Sequence, residues 1–177
     1  MKKYWHILVM LICVSMFSAC GDDDDELEVD EEWKEENLAA FEEKSNDEEY
    51  THLTSQTGAG YILYKVLEEG DSDERIYYNS KVSVYYYGTF IDGTVFDDHS
   101  FDAGAPYAGS DDEGAYVYSF VDGFCTALQY MHPGDRWEIW IPYQMAYGTS
   151  GNDSGDVTIL PYTTLIFDLE VVEIMEP

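Results

Sequence analysis

The stretch from Lys81 to Phe101, KVSVYYYGTFIDGTVFDDHSF, constrains what this chain can fold into more than any other. From Lys81 to Phe90 the period is two: Val82, Val84 and Tyr86 fall on one face, Ser83, Tyr85 and Tyr87 on the other, so the first set should face a core. Gly88 has no side chain and marks a bend or a close approach of backbone. Asp92-Gly93 is a hairpin signal because both turn positions accept positive φ. The returning run then sets an aromatic beside a carboxylate at Phe96-Asp97. This part of the chain must be antiparallel sheet.

The remaining elements follow the same logic. Tyr61 to Leu67 is expected as an edge strand closed by Glu68-Glu69-Gly70, with a loop over Asp71 to Glu74. Ser100 to Ala115 holds Gly104, Pro106, Gly109 and Asp111-Asp112-Glu113, an irregular loop rich in turn formers. Its acids lack the alternating ligand spacing of a calcium loop, so a solvated loop is the expectation. Tyr116 to Phe120 reads as a short strand. In Phe124 to Met131, Phe124, Ala127, Leu128 and Met131 fall at i, i+3, i+4 and i+7, the helix signal of the domain, and Pro133-Gly134 stops it. Arg136 to Ile141 alternates Trp137, Ile139 and Ile141 against Arg136, Glu138 and Trp140. After the polar loop TSGNDSGD, Thr164 to Ile174 is a long closing strand with Leu165, Phe167, Leu169 and Val171 facing one way. A chain of 177 residues allows one domain of ordinary size. The expected fold is α+β: a curved antiparallel sheet wrapped around one short helix, with a cavity between them.

The first fifty residues differ in kind. Lys2 and Lys3, an apolar run from Ile7 to Phe17 and the small residues Ser18 and Ala19 form a signal peptide over residues 1–19. The run is too short for a membrane span. Small residues ahead of Cys20 resemble the lipobox of bacterial lipoproteins, which implies cleavage before Cys20 and its acylation as an anchor. Between Asp22 and Glu49 lie sixteen acids and two bases, Lys34 and Lys44. Loss of residues 1–19 removes Lys2 and Lys3 and no acid, so 37 acids face 6 bases in what remains. Such a block repels itself and argues against nucleic acid and anionic membrane surfaces as partners. Residues 20–50 are therefore expected to be a lipid-anchored acidic tether, with the domain over 51–177. Within the tether, Glu31 to Lys44 could form a short helix with Trp33, Asn37, Ala40 and Lys44 on one side and Leu38 and Phe41 adding apolar contact; a docking or dimerising helix is one reading, and a frayed tether is the one expected. The Asp22 to Glu26 run is similar to an export signal for the outer face of the outer membrane, and a plain acidic spacer explains it equally well.

No nucleophilic triad, HExxH, CxxC or phosphate loop occurs, and His52, His99 and His132 are scattered. Asp97, Asp98 and Asp102 lie close enough in sequence to invite glycoside hydrolysis, but a surface turn explains them. With Cys13 in the signal and Cys20 lipidated, Cys125 stands alone, so it is expected as a small buried apolar group. Aromatics dominate instead: sixteen tyrosines and eight phenylalanines.

The motifs VSVYYYGTFIDGTVFD, VDGF with AL and MHPGD, IPYQMAYG and LPYTTLIFDLEV, in that order and near-correct spacing, resemble the FKBP-type peptidyl-prolyl cis-trans isomerases. The resemblance covers about Tyr61 to Ile174. It implies that Tyr86, Phe96 and Asp97 form a pocket wall, that the Val121 N–H receives a ligand carbonyl, and that Phe124 lies on the pocket floor. It implies further that Tyr147 offers its hydroxyl to substrate, that Phe167 closes the far side, and that Tyr116 or Tyr118 supplies one more aromatic. Phe124 stands where the family commonly has Trp, and Leu160-Pro161 where Pro-Pro or Ile-Pro is common. The implied partners are X-Pro segments of unfolded or folding proteins and the macrolide-type ligands of the family. No cofactor or metal is called for. An outer-membrane lipoprotein, on the periplasmic or the cell-surface face, is the implied setting.

The chemistry suits such a box. Rotation about X-Pro faces a barrier of about 18 to 20 kcal/mol from amide resonance. An apolar pocket disfavours the dipolar planar amide, while placed donors hold the flanking carbonyls as the bond twists. Asp97 is then an orienting acceptor rather than a general base. Two rival readings are a proline-peptide-binding chaperone without turnover, and a surface protein that binds glycan through exposed Trp140, Tyr85 or Tyr87.

Overall fold

The computed structural model describes residues 27–109 and 113–175. The expected signal peptide, Cys20, the Asp22 to Glu26 run and Asp111-Asp112 lie outside the described residues. The elements are helix α1 (Glu31–Ser45), strands β1 (Thr51–Thr54), β2 (Tyr61–Glu68), β3 (Lys81–Thr89), β4 (Val95–His99) and β5 (Ala115–Tyr116), helix α2 (Asp122–Leu128), and strands β6 (Arg136–Ile141) and β7 (Leu165–Met175). The sheet is antiparallel throughout, in the order β1-β2-β6-β7-β3-β4, with β5 paired to β3. This is the expected sheet around one short helix, with a second helix outside it. Among the described residues no helix is long and apolar enough to cross a membrane.

The period-two assignments hold where they matter. Val82, Val84, Trp137, Ile139, Ile141, Leu165, Phe167, Leu169 and Val171 are all buried. The stripe of α2 is buried with them: Phe124, Ala127, Leu128 and Met131 are each at most 2% exposed. Because the sheet curls over it, α2 is buried from Gly123 to Leu128 on every side. A Cβ on Gly123 would lie 2.3 Å from Ile141 Cγ2, so glycine is what lets the helix seat directly on β6. Ser83 departs from the alternation and is also buried. The register of β3 against β7 shifts between Ser83 and Val84, and this bulge turns three consecutive residues inward.

Four expectations are corrected. The strand at Tyr61 is not an edge: β1 covers it on one side and β6 on the other. The apolar pattern of Ile62 and Leu63, both fully buried, is that of an interior strand, and β1 is too short and too exposed to announce itself. The Tyr116 to Phe120 strand is only two residues long before a 3-10 turn over Val117–Ser119. That turn is tightened by the Ser119 hydroxyl donating to the Tyr116 carbonyl at 2.6 Å. The helix at Phe124 begins at Asp122, with Val121 as its N-cap, and its regular part stops at Leu128.

The fourth concerns Glu31 to Lys44, where a frayed segment is expected and a docked helix is found. Asp30 caps α1 by accepting from the Glu32 and Trp33 N–H groups at 3.0 and 3.1 Å. The expected side is the side that docks, through buried polar groups as well as through Trp33, which packs against the core. Asn37 is 0% exposed. Its Oδ1 accepts from the Thr164 N–H at 2.8 Å, and its Nδ2 donates to the Trp33 carbonyl at 2.8 Å. Trp33 Nε1 donates to Thr163 Oγ1 at 2.8 Å. A hydrophobicity pattern cannot register such a face.

Candidate functional site

Each of the seven residues marked out in the sequence reaches the same cavity, of about 300 Å³, between α2 and the sheet. Strand β3 brings Tyr86. The bend after it brings Phe96 and Asp97, which is not what a regular strand would do, since consecutive side chains point to opposite faces. The register explains it. Gly88 pairs with Asp97 and Thr89 with Val95, so Phe96 is the extra residue of a β-bulge. The turn that feeds it spans residues 90–94, with only Gly93 at positive φ (84°). It is closed by the Phe90 N–H donating to the Thr94 carbonyl at 2.9 Å.

Gly88 sits under this arrangement. A Cβ there would meet Phe96 Cζ at 2.7 Å and Phe167 Cε1 at 3.0 Å. The missing side chain is the space in which these two rings, 5.4 Å apart and edge to face, come together. Phe167 comes from the start of β7 and Phe124 from the first turn of α2, also edge to face at 5.1 Å.

Tyr86 is the hub of the wall. Its ring stands edge-on to Phe124, Phe167 and Tyr107 at 5.7, 5.9 and 5.8 Å. Its hydroxyl donates to Asp97 Oδ2 at 2.8 Å. Burial, and then the Asp97 carboxylate, raise the phenol above its ordinary pKa. Asp97 Oδ1 lies 3.4 Å from His99 Nε2. The carboxylate is thus engaged on both oxygens.

Two of the donors at the cavity have no protein acceptor among the described residues. Val121 caps α2 with φ −62° and ψ 152°, and its carbonyl accepts from the Cys125 N–H at 3.0 Å. Among the described residues its own N–H has no protein acceptor. The Tyr147 hydroxyl likewise has none, and Tyr147 is 36% exposed. The 3-10 turn Tyr143–Met145 carries Tyr147, and the Gly148 N–H donates back to the Tyr143 carbonyl at 2.8 Å.

The cavity also holds Tyr107, Ser119, Phe120 and Leu165. Phe120 stacks on Phe124 at 4.6 Å and 18°, so the floor is a pair of phenyl rings rather than one larger indole. Tyr107 comes from the irregular loop, pinned by reciprocal backbone hydrogen bonds with Val84 at 3.0 and 2.8 Å. It occupies the place expected for Tyr116 or Tyr118, which point away and are 39% and 48% exposed. The signal for Tyr107 was slight: an aromatic after Pro106 in a loop otherwise made of small and acidic residues.

The alternatives fall elsewhere. Asp98 does not line the cavity, and the Ser100 hydroxyl and N–H hold its carboxyl below the usual range. Tyr85, Tyr87 and Asp102 line a separate hollow of about 260 Å³ with Phe101, Arg136, Asp168 and Glu170. Trp140 is not part of it; its Nε1 donates to Glu138 at 2.8 Å and Lys44 lies over its ring. Cys125 is 4% exposed, and its thiol donates to the Val117 carbonyl at 2.8 Å. Among the described residues no group of three or more His, Cys, Asp or Glu is placed to hold a metal ion.

Comparison with known proteins identifies the family. The family described as FKBP-type peptidyl-prolyl cis-trans isomerase matches residues 72–172. The chain belongs to that family. Its FKBP-type domain is 35% identical over 115 residues to the macrophage infectivity potentiator of Trypanosoma cruzi, covering 65% of this chain and 54% of that protein. It is 34% identical over 113 residues to a Legionella longbeachae protein named outer membrane protein MIP, covering 64% and 44%. Among solved structures, the peptidyl-prolyl cis-trans isomerase of Pseudomonas syringae superposes with a TM-score of 0.66 at 26% identity, covering 84% of this chain and 100% of that one. The chain spans about half the length of the curated relatives it matches.

Proposed function

We propose that this protein is a peptidyl-prolyl cis-trans isomerase that assists the folding of exported proteins. One observation carries the reading: seven residues from distant parts of the chain meet on one aromatic cavity, where the Val121 N–H and the Tyr147 hydroxyl are donors with no protein acceptor among the described residues. Family membership supports it.

The mechanism follows from those groups. Proline's ring is the apolar part of the substrate, and Phe96, Phe124 and Phe167 offer it ring faces and edges away from water. The resonance-stabilised planar amide is more dipolar than the twisted one, so a dry pocket raises the ground state relative to the transition state. As the bond twists, the Val121 N–H and the Tyr147 hydroxyl can each donate to a flanking carbonyl, without a proton being transferred. Asp97 works through Tyr86. By accepting its hydroxyl, it fixes the ring that braces both Phe124 and Phe167.

A protease-coupled assay on a short X-Pro peptide tests this. Wild type should exceed the uncatalysed rate, and a macrolide-type ligand of the family should compete. Tyr147→Phe and Asp97→Leu should each lower kcat/KM about tenfold, the loss of roughly one hydrogen bond's worth of transition-state stabilisation. Peptide binding without acceleration would instead identify a non-catalytic chaperone.

We further propose that Cys20 is the acylated first residue of a lipoprotein held at the outer membrane. Support comes from the lipobox resemblance and from the name borne by the Legionella relative. Ten residues separate Cys20 from Asp30, a reach of about 35 Å when extended. The pocket would then work close to the bilayer, on chains that pass it.

A further inference from the structure

Helix α1 touches the domain at a place that its role as a spacer does not require. We infer that α1 is a clamp on the rim of the isomerase pocket, with Trp33 and Asn37 as positioning residues; the inference rests on the functional reading above. No α1 residue lines the cavity, so the effect is transmitted, along two routes.

The first route is aromatic. Trp33 stands edge-on to Phe90 at 5.7 Å, and Phe90 stacks on Phe96 at 5.0 Å. Phe96 is the bulged residue of the pocket wall. Its ring is held from the pocket side by Phe167 and from behind by Phe90, whose own backing is the indole. Remove the indole and the outer support of Phe96 ends in solvent.

The second route is polar. The segment entering β7 runs Tyr162-Thr163-Thr164-Leu165, and Leu165 lines the cavity. Here α1 holds three residues in a row. Lys34 Nζ lies 4.6 Å from the centre of the Tyr162 ring. Trp33 Nε1 donates to Thr163 Oγ1, and the buried Thr164 N–H has Asn37 Oδ1 as its acceptor. Tyr162 is the non-glycine residue at positive φ (64°), a conformation that needs support from its surroundings. Its N–H donates to the Gly148 carbonyl at 3.0 Å, and its ring packs on Tyr143 at 4.8 Å. Tyr147 lies between those two anchors. The free hydroxyl at the cavity mouth is therefore carried by a turn that leans on a strand entry, which in turn leans on α1. A fully buried asparagine whose acceptor is spent on one backbone N–H is a costly device for a spacer.

The test compares full-length Trp33→Ala and Asn37→Ala with Phe41→Ala. Phe41 lies on the same helix but packs on Tyr61, away from the cavity. The first two should raise KM for an X-Pro peptide about fivefold or more with kcat within about twofold, a loss of ground-state and transition-state binding alike. Amide exchange at residues 147–151 and 163–167 should accelerate about tenfold or more, in Asn37→Ala because the Thr164 N–H loses its acceptor and in Trp33→Ala because Thr163 loses the indole that holds it. Phe41→Ala should lower the melting temperature and leave both readouts alone. If Trp33→Ala does not fold, Thr163→Val removes the acceptor of the indole N–H, along with the Thr163 hydroxyl's own bond to the Leu160 carbonyl at 2.6 Å, and carries the same expectation. Unchanged KM and exchange in the Trp33 and Asn37 variants, or equal changes in Phe41→Ala, would overturn the clamp. Should wild type prove inactive, the exchange comparison still decides the clamp, and only the isomerase reading fails.

Discussion

Gly88 shows how much one absent side chain can determine. Its φ is not in the left-handed region, so the demand for glycine is steric: the Cβ volume is filled by Phe96 and Phe167. Gly88→Ala should destabilise the domain by about 1 to 3 kcal/mol, the usual cost of overpacking. It should also reduce isomerase activity more than its stability loss explains, because the displaced rings are pocket walls; chemical denaturation beside peptide kinetics would measure both. Cys125 makes a separate prediction. Burial first, then the Asp122 charge, push its thiol up to about 11 from 9.0. Below pH 9 both folded and unfolded thiols are protonated and nothing changes. Between 9 and 11 the unfolded thiol releases its proton while the folded one keeps it, so stability falls as pH rises, by at most about 1.4 kcal/mol per pH unit. Urea midpoints at pH 8.5 and 10.5 should therefore drop less in Cys125→Ser than in wild type, since a serine there can still donate to Val117 but does not titrate.

At the scale of elements, the segment between α2 and β6 is organised by one carboxylate. Asp135 is 7% exposed. It accepts from the His132 N–H at 2.7 Å on one oxygen and from the Gly70 N–H at 2.8 Å on the other. It thereby ties the turn after α2 to the end of β2, beneath a glycine pair packed too closely for a Cβ at Gly70. Asp135→Asn keeps the shape but offers one acceptor where two are needed. It should cost about 1 to 3 kcal/mol by leaving a donor unpaired, read as a lower denaturant midpoint with an unchanged m-value. Because Asp135 does not line the cavity, peptide kinetics below the melting range should be unaltered.

For the whole molecule, charge and anchorage are the properties that matter. Net charge is −29, and sixteen of the acids lie between Asp22 and Glu49, nine of them in α1 or just after it, on a helix that docks against the domain. Expressed as the full chain in a Gram-negative host, the protein should partition into the detergent phase of a cloud-point extraction. Cys20→Ala should shift it to the aqueous phase while leaving isomerase activity on soluble peptides intact. Wild type in the aqueous phase would count against the anchor.

What the sequence by itself determined is the pattern that solvent imposes. Alternation along Lys81 to Phe90, Arg136 to Ile141 and Thr164 to Ile174, and the stripe from Phe124 to Met131, identify which side chains leave water, because burial is a property of each residue's polarity and spacing. The seven cavity residues were legible in another way, by resemblance to a family's motifs; only Tyr86, Phe124 and Phe167 of them lie inside those elements. The tertiary structure decided what depends on pairing across distance. A bulge against Gly88 turns Phe96 and Asp97 to one side, where strict alternation would separate them. Backbone bonds to Val84 hold Tyr107 in a site that sequence assigned to Tyr116 or Tyr118. Strand β2 became interior only because β1 paired outside it. Helix α1 docked by Asn37 and the Trp33 N–H, whose acceptors lie some 130 residues away. Hydrogen bonds of that reach leave no periodic mark on the chain, and only the folded partner reveals them.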